Sequence, residues 1–331
     1  VIADRFAPHR HRILFAAVCA VVFTAAGAGG LVASTRASLD EVRRVVDVDA
    51  ALSPSGDGIV NFLVVGSDSR EGIDTSDPDN AAIGSEAGTP GQRSDSLIVV
   101  RWEESTGNLA LMSVPRDLWV RIGDTGESGR VNAAYREGPA VLVTTVRRAL
   151  GIPIHHYVEV GFLGFRSIVD GVGGVRICAK NPVRDLKVKL ELGKGCSVLG
   201  GVDALKYVRS RQFEQLVDGN WEVDGTGDEG RSTRQRAFVA ALVSAAARHV
   251  AVHPMDAGRV MSAFVAAATV DGRLDLIDMA AKLRPMASNG ATSHRLPVDP
   301  DMSAGSFRFL LSNDAQPLLA YFAGRGPAPA D

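Results

Sequence analysis

The chain has little lysine, six residues against thirty arginines. With Arg preferred throughout, a local run of arginines is weak evidence of design by itself. Cysteine is scarcer still, three residues in all, too few for a disulfide-dense scaffold and, without a nearby His cluster, a poor zinc site. The seven histidines are scattered, so a His-based metal site or catalytic triad has little support. His155 and His156 read as the entry to an alternating strand, Tyr157-Val158-Glu159-Val160. There is no basic excess either. A formal net charge of -2 argues against a generic nucleic-acid binder, so any anion recognition must be local.

Long apolar runs are absent except for one. Arg5, Arg10 and Arg12 precede an uncharged stretch from Ile13 to Ala33, twenty-one residues, long enough to cross a bilayer as a helix. The basic residues before it place the N-terminus in the cytoplasm and the rest outside. A cleaved leader ending at Ala26-Gly27-Ala28 is the rival reading; the apolar run continues past that point and favours a retained anchor. Either way the body is exported. Cys19 lies inside the run, which leaves Cys178 and Cys196 as the pair in the body. Closing the loop between them would contribute about 3 kcal/mol in the chain-entropy model if they bond.

At 331 residues the chain can bury one large core. Ser38 to Leu52 suits a juxtamembrane helix, broken by Ser53-Pro54-Ser55-Gly56-Asp57-Gly58. Ile59 to Val65 is an almost unbroken apolar run and reads as a strand buried on both faces. Ser96 to Trp102 and Leu109 to Val114 read as a hairpin, and Trp119 to Ile122, Val158 to Val160 and Val175 to Cys178 as further strands. Helical spacing marks Gly138 to Leu150, Phe162 to Val169, Ala204 to Val208 and, most strongly, Arg231 to Val250. Weaker helices follow at Asp256 to Ala268, Asp275 to Leu283 and Gln316 to Phe322. Strands alternating with helices predict an α/β fold, a layered α-β-α domain on a central mixed sheet.

The stretch from Tyr207 to Arg236 carries the chemistry. Arg209 and Arg211 precede a turn-rich insert; Arg231, Arg234 and Arg236 follow it. Guanidinium groups stay charged and pair bidentately with phosphate, so several together suit a ligand with more than one negative charge. The insert's acids, Glu214, Asp218, Glu222, Asp224, Asp228 and Glu229, leave open a solvated charge network instead. Two carboxylates sit beside strand ends: Asp68 in Gly66-Ser67-Asp68-Ser69-Arg70, and Asp95 in Arg93-Ser94-Asp95-Ser96. Such a pair suits Mg²⁺, which takes one or two carboxylates and fills its shell with water and phosphate. Each Asp also suits a plain turn or cap. In Val114-Pro115-Arg116-Asp117, proline ends the ladder and aims Arg116 away from the sheet, with Asp117 able to orient it.

Taken in order, these segments, together with Gly173-Gly174-Val175, Ala204-Leu205-Lys206-Tyr207-Val208-Arg209-Ser210-Arg211 and Gly230-Arg231-Ser232-Thr233-Arg234-Gln235, resemble the LytR-CpsA-Psr (LCP) family of bacterial cell-envelope proteins. The resemblance covers roughly Ile59 to Leu296. It implies a phosphotransferase that moves a glycopolymer from a polyprenyl-pyrophosphate carrier to peptidoglycan outside the membrane. Carried over by position, Asp68 and Asp95 would hold Mg²⁺. Arg93, Arg116, Arg209, Arg211 and Arg231 would grip the pyrophosphate, with Gln235 nearby and Asp95 or Asp117 as proton acceptor. It also implies an apolar tunnel for the isoprenoid, for which the Phe238 and Leu242 face of the long helix is a candidate; plain core is the rival reading of that face. The expected layout is a cytoplasmic tail 1–12, a membrane helix 13–33, a juxtamembrane helix and linker 34–58, an LCP-like catalytic domain 59–323 and a disordered tail 324–331. Two departures from the family's spacing, the Glu71 to Gln92 insert and the enlarged Arg211–Arg231 loop, fall at the expected site mouth. A carrier pyrophosphatase and a non-catalytic lipid-binding regulator use the same residues and remain alternatives. No helix-turn-helix pattern supports nucleic-acid contact.

Overall fold

The computed structural model describes residues 42–56, 58–67, 94–224, 227–253, 256–276, 278, 291–303 and 305–329. The expected membrane helix 13–33, the Glu71–Gln92 insert, Asp68 and Arg93 lie outside the described residues, and Asp95 is described in its backbone only. Among the described residues no helix is long and apolar enough to cross a membrane.

Seven strands form the central sheet: β1 (Arg43–Val45), β2 (Ile59–Ser67), β3 (Ser94–Glu103), β4 (Leu109–Val114), β5 (His156–Val160), β6 (Ala268–Asp271) and β7 (Ala291–Arg295). They run in the order β1-β6-β5-β2-β3-β4-β7. The β1–β6, β5–β2 and β4–β7 pairs are parallel and the others antiparallel, so the sheet is mixed as expected. The β3–β4 hairpin closes through Gly107 at φ 72, whose N–H bonds the Glu103 carbonyl at 2.8 Å.

Burial on β2 alternates, contrary to the expectation of a strand buried on both faces. Leu63 and Val65 are fully buried, whereas Val60, Phe62 and Val64 are half-buried. The first set belongs to one large core with Val99 and Met112, sealed by the helices α1 (Val131–Arg136), α2 (Pro139–Leu150) and α7 (Gln316–Phe322). α2 starts with Pro139 in its first turn and stops at Gly151, held at φ 64. Proline is preorganised for a helix start, and glycine takes the left-handed stop without a Cβ penalty.

On the other side lie α3 (Phe162–Gly171), α4 (Gly201–Arg209), α5 (Gly227–Val252) and α6 (Ala257–Ala267). Helices on both faces complete the α-β-α layering. Phe238 of α5 is fully buried against Phe162, Val169, Leu205 and Val208 rather than against the sheet. Phe238 is therefore core, the rival reading of this face, while Leu242 is half-buried against the same cluster. Val243, on another face of α5, packs with Trp102 and Leu109 of the half-covered sheet face.

Three segments depart from expectation. The part of the supposed juxtamembrane helix that is described forms β1 and a 3-10 turn, Val46–Ala51. Its valines, β-branched and stiff, favour the sheet edge that β6 offers. The Arg211–Arg231 insert is no irregular loop; it folds as a hairpin, Glu214–Val217 and Asn220–Val223, that joins Val183–Asp185 and Leu190–Leu192 in a four-stranded sheet. At the far end, the tail is described to residue 329, and Arg325 is fastened to the Gly151 and Ala320 carbonyls at 3.0 and 2.8 Å. The helix expected from Asp275 lies partly outside the described residues. Cys178 and Cys196 face each other across the antiparallel strands Val175–Ala179 and Gly195–Leu199 and are disulfide-bonded.

Candidate active site

At the end of β4, Pro115 stops the ladder and the next residues form a turn pinned on three sides. The Leu118 N–H bonds the Pro115 carbonyl at 3.0 Å, the Arg116 carbonyl accepts from the Asn132 N–H at 3.2 Å, and the Asp117 carbonyl accepts from the Phe309 N–H at 3.0 Å. Asp117 faces two guanidinium groups, Arg116 at 3.5 Å and Arg130 at 3.3 Å. The expected orienting contact is present. With each carboxylate oxygen near an arginine, Asp117 is better suited to holding Arg116 than to taking a proton.

This turn, the strand ends of β3 and β4, the Arg295 end of β7, and the first turns of α5 enclose a cavity of about 300 Å³. Four guanidinium side chains line it, Arg116, Arg231, Arg236 and Arg295, against a single carboxylate, Asp117, among the described lining residues. Arg231 and Arg236 are buried, at 4% and 6% exposure. Arg236 is held by hydroxyls, those of Ser293, Ser113 and Thr233 at 3.0–3.1 Å. These hydroxyls fix its position. Four guanidinium groups around a partly desolvated cavity suit an anionic ligand.

The floor of the cavity depends on a missing side chain. A Cβ on Gly66 would lie 2.5 Å from Ser96 Oγ, and Ser96 lines the cavity. The register shifts between Gly66 and Ser67, pairing Ser67 with Ser94. The backbone that leads into Asp68 and the backbone that carries Asp95 therefore meet at one end of the sheet, beside the arginines. Among the described residues no group of three or more His, Cys, Asp or Glu side chains is placed to hold a metal.

A model of the LytR_cpsA_psr family matches residues 28–318. The chain belongs to this LCP family. LcpB of Corynebacterium glutamicum, a probable cell wall biosynthesis protein, is 36% identical over 61% of this chain and 45% of its own length. LcpA of the same organism, a cell wall biosynthesis protein, is 26% identical over 96% of this chain and 65% of its own length. TagU of Bacillus cereus, a polyisoprenyl-teichoic acid–peptidoglycan teichoic acid transferase, is 36% identical over 48% of each chain. The chain thus spans about half to two thirds of the length of these relatives. Among solved structures, a LytR-Csp2A-Psr enzyme from Actinomyces oris superposes with a TM-score of 0.65 at 26% identity, covering 85% of this chain and 96% of the other. TagV of Bacillus subtilis, at 24% identity and a TM-score of 0.60 over 82% of this chain and 100% of the other, shares the fold.

In this LCP chain the expected site residues fall into three groups. Arg116, Asp117, Arg231 and Gln235 line the cavity. Arg209 and Arg211 are not among its described lining residues: the Arg209 guanidinium lies 4.4 Å over the Phe162 ring, and Arg211 is exposed. They stay close through the backbone, since the Gln235 amide donates to the Val208 carbonyl at 3.1 Å and Arg234 to the Ser210 carbonyl at 2.6 Å. Asp68, Arg93 and the Asp95 side chain lie outside the described residues. The sequence singled out neither Arg295 nor Ser232, and named Arg236 only within the arginine stretch, without a role in the site. Arg295 carried no signal because its strand was unrecognised; Arg236 was legible as one turn of helix beyond Ser232.

A buried carboxylate sets the segment that carries Arg211. Asp185, 1% exposed, accepts from the Ser210 hydroxyl at 2.7 Å and from the Arg211, Gln212 and Lys187 N–H groups at 2.9–3.1 Å. Burial pushes its pKa up, but these hydrogen bonds outweigh burial and hold it below the ordinary value. The two histidines of the β5 entry are structural, as expected. His155 Nδ1 accepts from the Asn61 N–H at 2.8 Å; burial, then His156, lowers its pKa, which keeps it neutral. His156 contacts Asp271 at 3.2 Å.

Proposed function

We propose that this LCP chain is a phosphotransferase that moves a glycopolymer from a polyprenyl-pyrophosphate carrier to peptidoglycan on the outer side of the cell membrane, anchored by residues 13–33. The observation that carries the reading is the cavity with four arginines and one carboxylate at the sheet end, in a chain of a family whose named relatives include a teichoic acid transferase. Phosphoryl transfer needs mainly positioning and charge neutralisation, so arginines can supply much of it without a protein nucleophile.

Arg116 and Arg231 would hold the pyrophosphate, Arg236 and Arg295 would neutralise its outer oxygens, and Gln235 would bridge to the segment of Arg209 and Arg211. A hydroxyl of peptidoglycan attacks the sugar-linked phosphorus; a P–O bond forms, the bridging P–O bond breaks, and polyprenyl phosphate leaves. Asp95, or Asp117 once Arg116 turns to the pyrophosphate, would accept the proton of the attacking hydroxyl. Asp68 and Asp95 would hold Mg²⁺, which supplies charge neutralisation at the phosphate oxygens when bound. The half-covered sheet face of Phe62, Val64 and Val100, next to the cavity wall at Ser96 and Leu97, suits the isoprenoid tail.

The test is to incubate the full chain in detergent with a polyprenyl-pyrophosphate oligosaccharide, peptidoglycan fragments and Mg²⁺, and to look for a phosphodiester-linked product by mass spectrometry. Ligated product with release of polyprenyl phosphate supports the reading. Free sugar phosphate without ligation means a pyrophosphatase, and tight lipid binding without turnover means a binding protein.

A further inference from the structure

Gly230, Thr233 and Arg234 lie on one side of α5, and Arg231, Ser232, Gln235 and Arg236 on the other, as helical spacing requires. The second group lines the arginine cavity; the first lines a separate cavity of about 360 Å³. This second cavity lies under the small sheet formed by the Arg211–Arg231 insert, and the disulfide-bonded strand Val175–Ala179 forms another wall. One turn of helix thus separates two cavities of different chemistry.

The second cavity has no surplus of arginine. Arg234 in its wall is neutralised by Asp224 at 2.8 Å and also caps the Ser210 carbonyl, so the cavity is not built for a phosphate. It is not a greasy slot either. Half-buried Tyr207 meets buried Phe213 edge to face in its wall, 6.1 Å apart, and the Arg234 guanidinium covers the Phe213 ring at 4.2 Å; Gln215, Lys180, Asp224 and Thr233, whose hydroxyl also accepts from Arg236, complete the lining. The Tyr207 ring, with neutral and charged hydrogen-bonding groups around it, matches a sugar ring, which has an apolar C–H face and a rim of hydroxyls. The volume falls in the range of small-ligand sites.

We propose that this cavity is a saccharide subsite that holds a sugar ring of a wall glycan across α5 from the transfer cavity. The proposal rests on the transferase reading for the identity of the glycan, which comes from either the peptidoglycan acceptor or the transferred polymer. The insert hairpin is then the device by which this chain selects a glycan.

Titration calorimetry on the full chain tests it with two probes: the N-acetylglucosamine–N-acetylmuramic acid disaccharide for the acceptor, and a teichoic-acid-type disaccharide for the polymer. Gln215→Ala removes one hydrogen-bonding group and should weaken the bound disaccharide about 10-fold. Ala179→Trp fills the cavity and should abolish binding. Both variants should bind a polyprenyl-pyrophosphate analogue as the parent chain does. Whichever disaccharide responds identifies the source. No binding of either, or binding unchanged in both variants, overturns the proposal; if Ala179→Trp fails to fold by circular dichroism, Gln215→Ala decides alone. Saccharide binding that responds to the variants, in a chain with no transfer activity, keeps the subsite and removes the transferase. Transfer without any such response does the reverse.

Discussion

The two faces of the central sheet come from the same strands and are used differently. On one face, Leu63, Val65, Val99, Met112 and Tyr157 are at or near zero exposure beneath α2 and α7. On the other, Ile98, Trp102, Leu109 and Leu111 are buried, Val243 of α5 packs at the Trp102–Leu109 edge, and Val60, Phe62, Val64 and Val100 are half-buried. The closed face has the density of a protein interior, where lost volume is not recovered. The half-covered face has apolar surface left over for a ligand. Stability and binding are thus divided between alternate residues of one strand, and substitution of neighbours should separate them.

The largest effect is expected on the closed face. Leu63→Ala should cost about 3 kcal/mol in urea unfolding while leaving the folded protein's turnover per molecule near normal; a stable variant would break the comparison. At the site, Arg116→Ala should lower transfer about 100-fold, the scale of losing one positioned charge donor, with the melting temperature almost unchanged. Arg209→Ala and Arg211→Ala test whether the segment beside the cavity joins it during turnover: equally large losses are expected, and normal rates in both would confine the anion site to the four lining arginines. On the half-covered face, Val100→Ala should weaken polyprenyl phosphate binding about 10-fold with a smaller stability loss than Leu63→Ala. A reversed order would mean that both faces are ordinary core. The smallest effect concerns Asp185. Its folded-state pKa is depressed, so its contribution is complete above the ordinary carboxylate value near 4 and is lost as pH falls through the folded value. Ser210→Ala should therefore cost about 1 kcal/mol at pH 7, and the gap to the parent chain should close in acid.

Much of this was legible in the sequence. β4, α2 and α7 have strong boundaries, with Pro115 after the first, Gly151 after the second and Pro317 at the start of the third, and the β3–β4 hairpin has its glycine at the turn. The insert hairpin was also written, in Asp218-Gly219 between Leu216-Val217 and Asn220-Trp221; both turn residues take positive φ, at 49° and 84°, as a two-residue turn requires. It was obscured by the density of charge around it. β7 was not legible, because Ala291-Thr292-Ser293-His294-Arg295 has no apolar alternation and owes its conformation to the β4 edge. Arg295 was lost with it. The split of the arginines between two sides of α5 follows from helical period alone, but the neutralisation of Arg234 by Asp224 depends on where the hairpin returns.

Gly66 has a consequence for anyone who maps this site by mutation. A survey that replaces each residue in turn would find alanine at position 66 displacing the Ser96 hydroxyl, and larger side chains costing progressively more. The glycine's contribution is an empty volume that lets Ser96 stand where it does. The loss on replacement would be the same in size whether the incoming side chain were polar or apolar, and would grow with bulk instead of charge. Intolerance that tracks volume and ignores chemistry would mark a spacer, and that pattern separates the architecture of the site from its reagents.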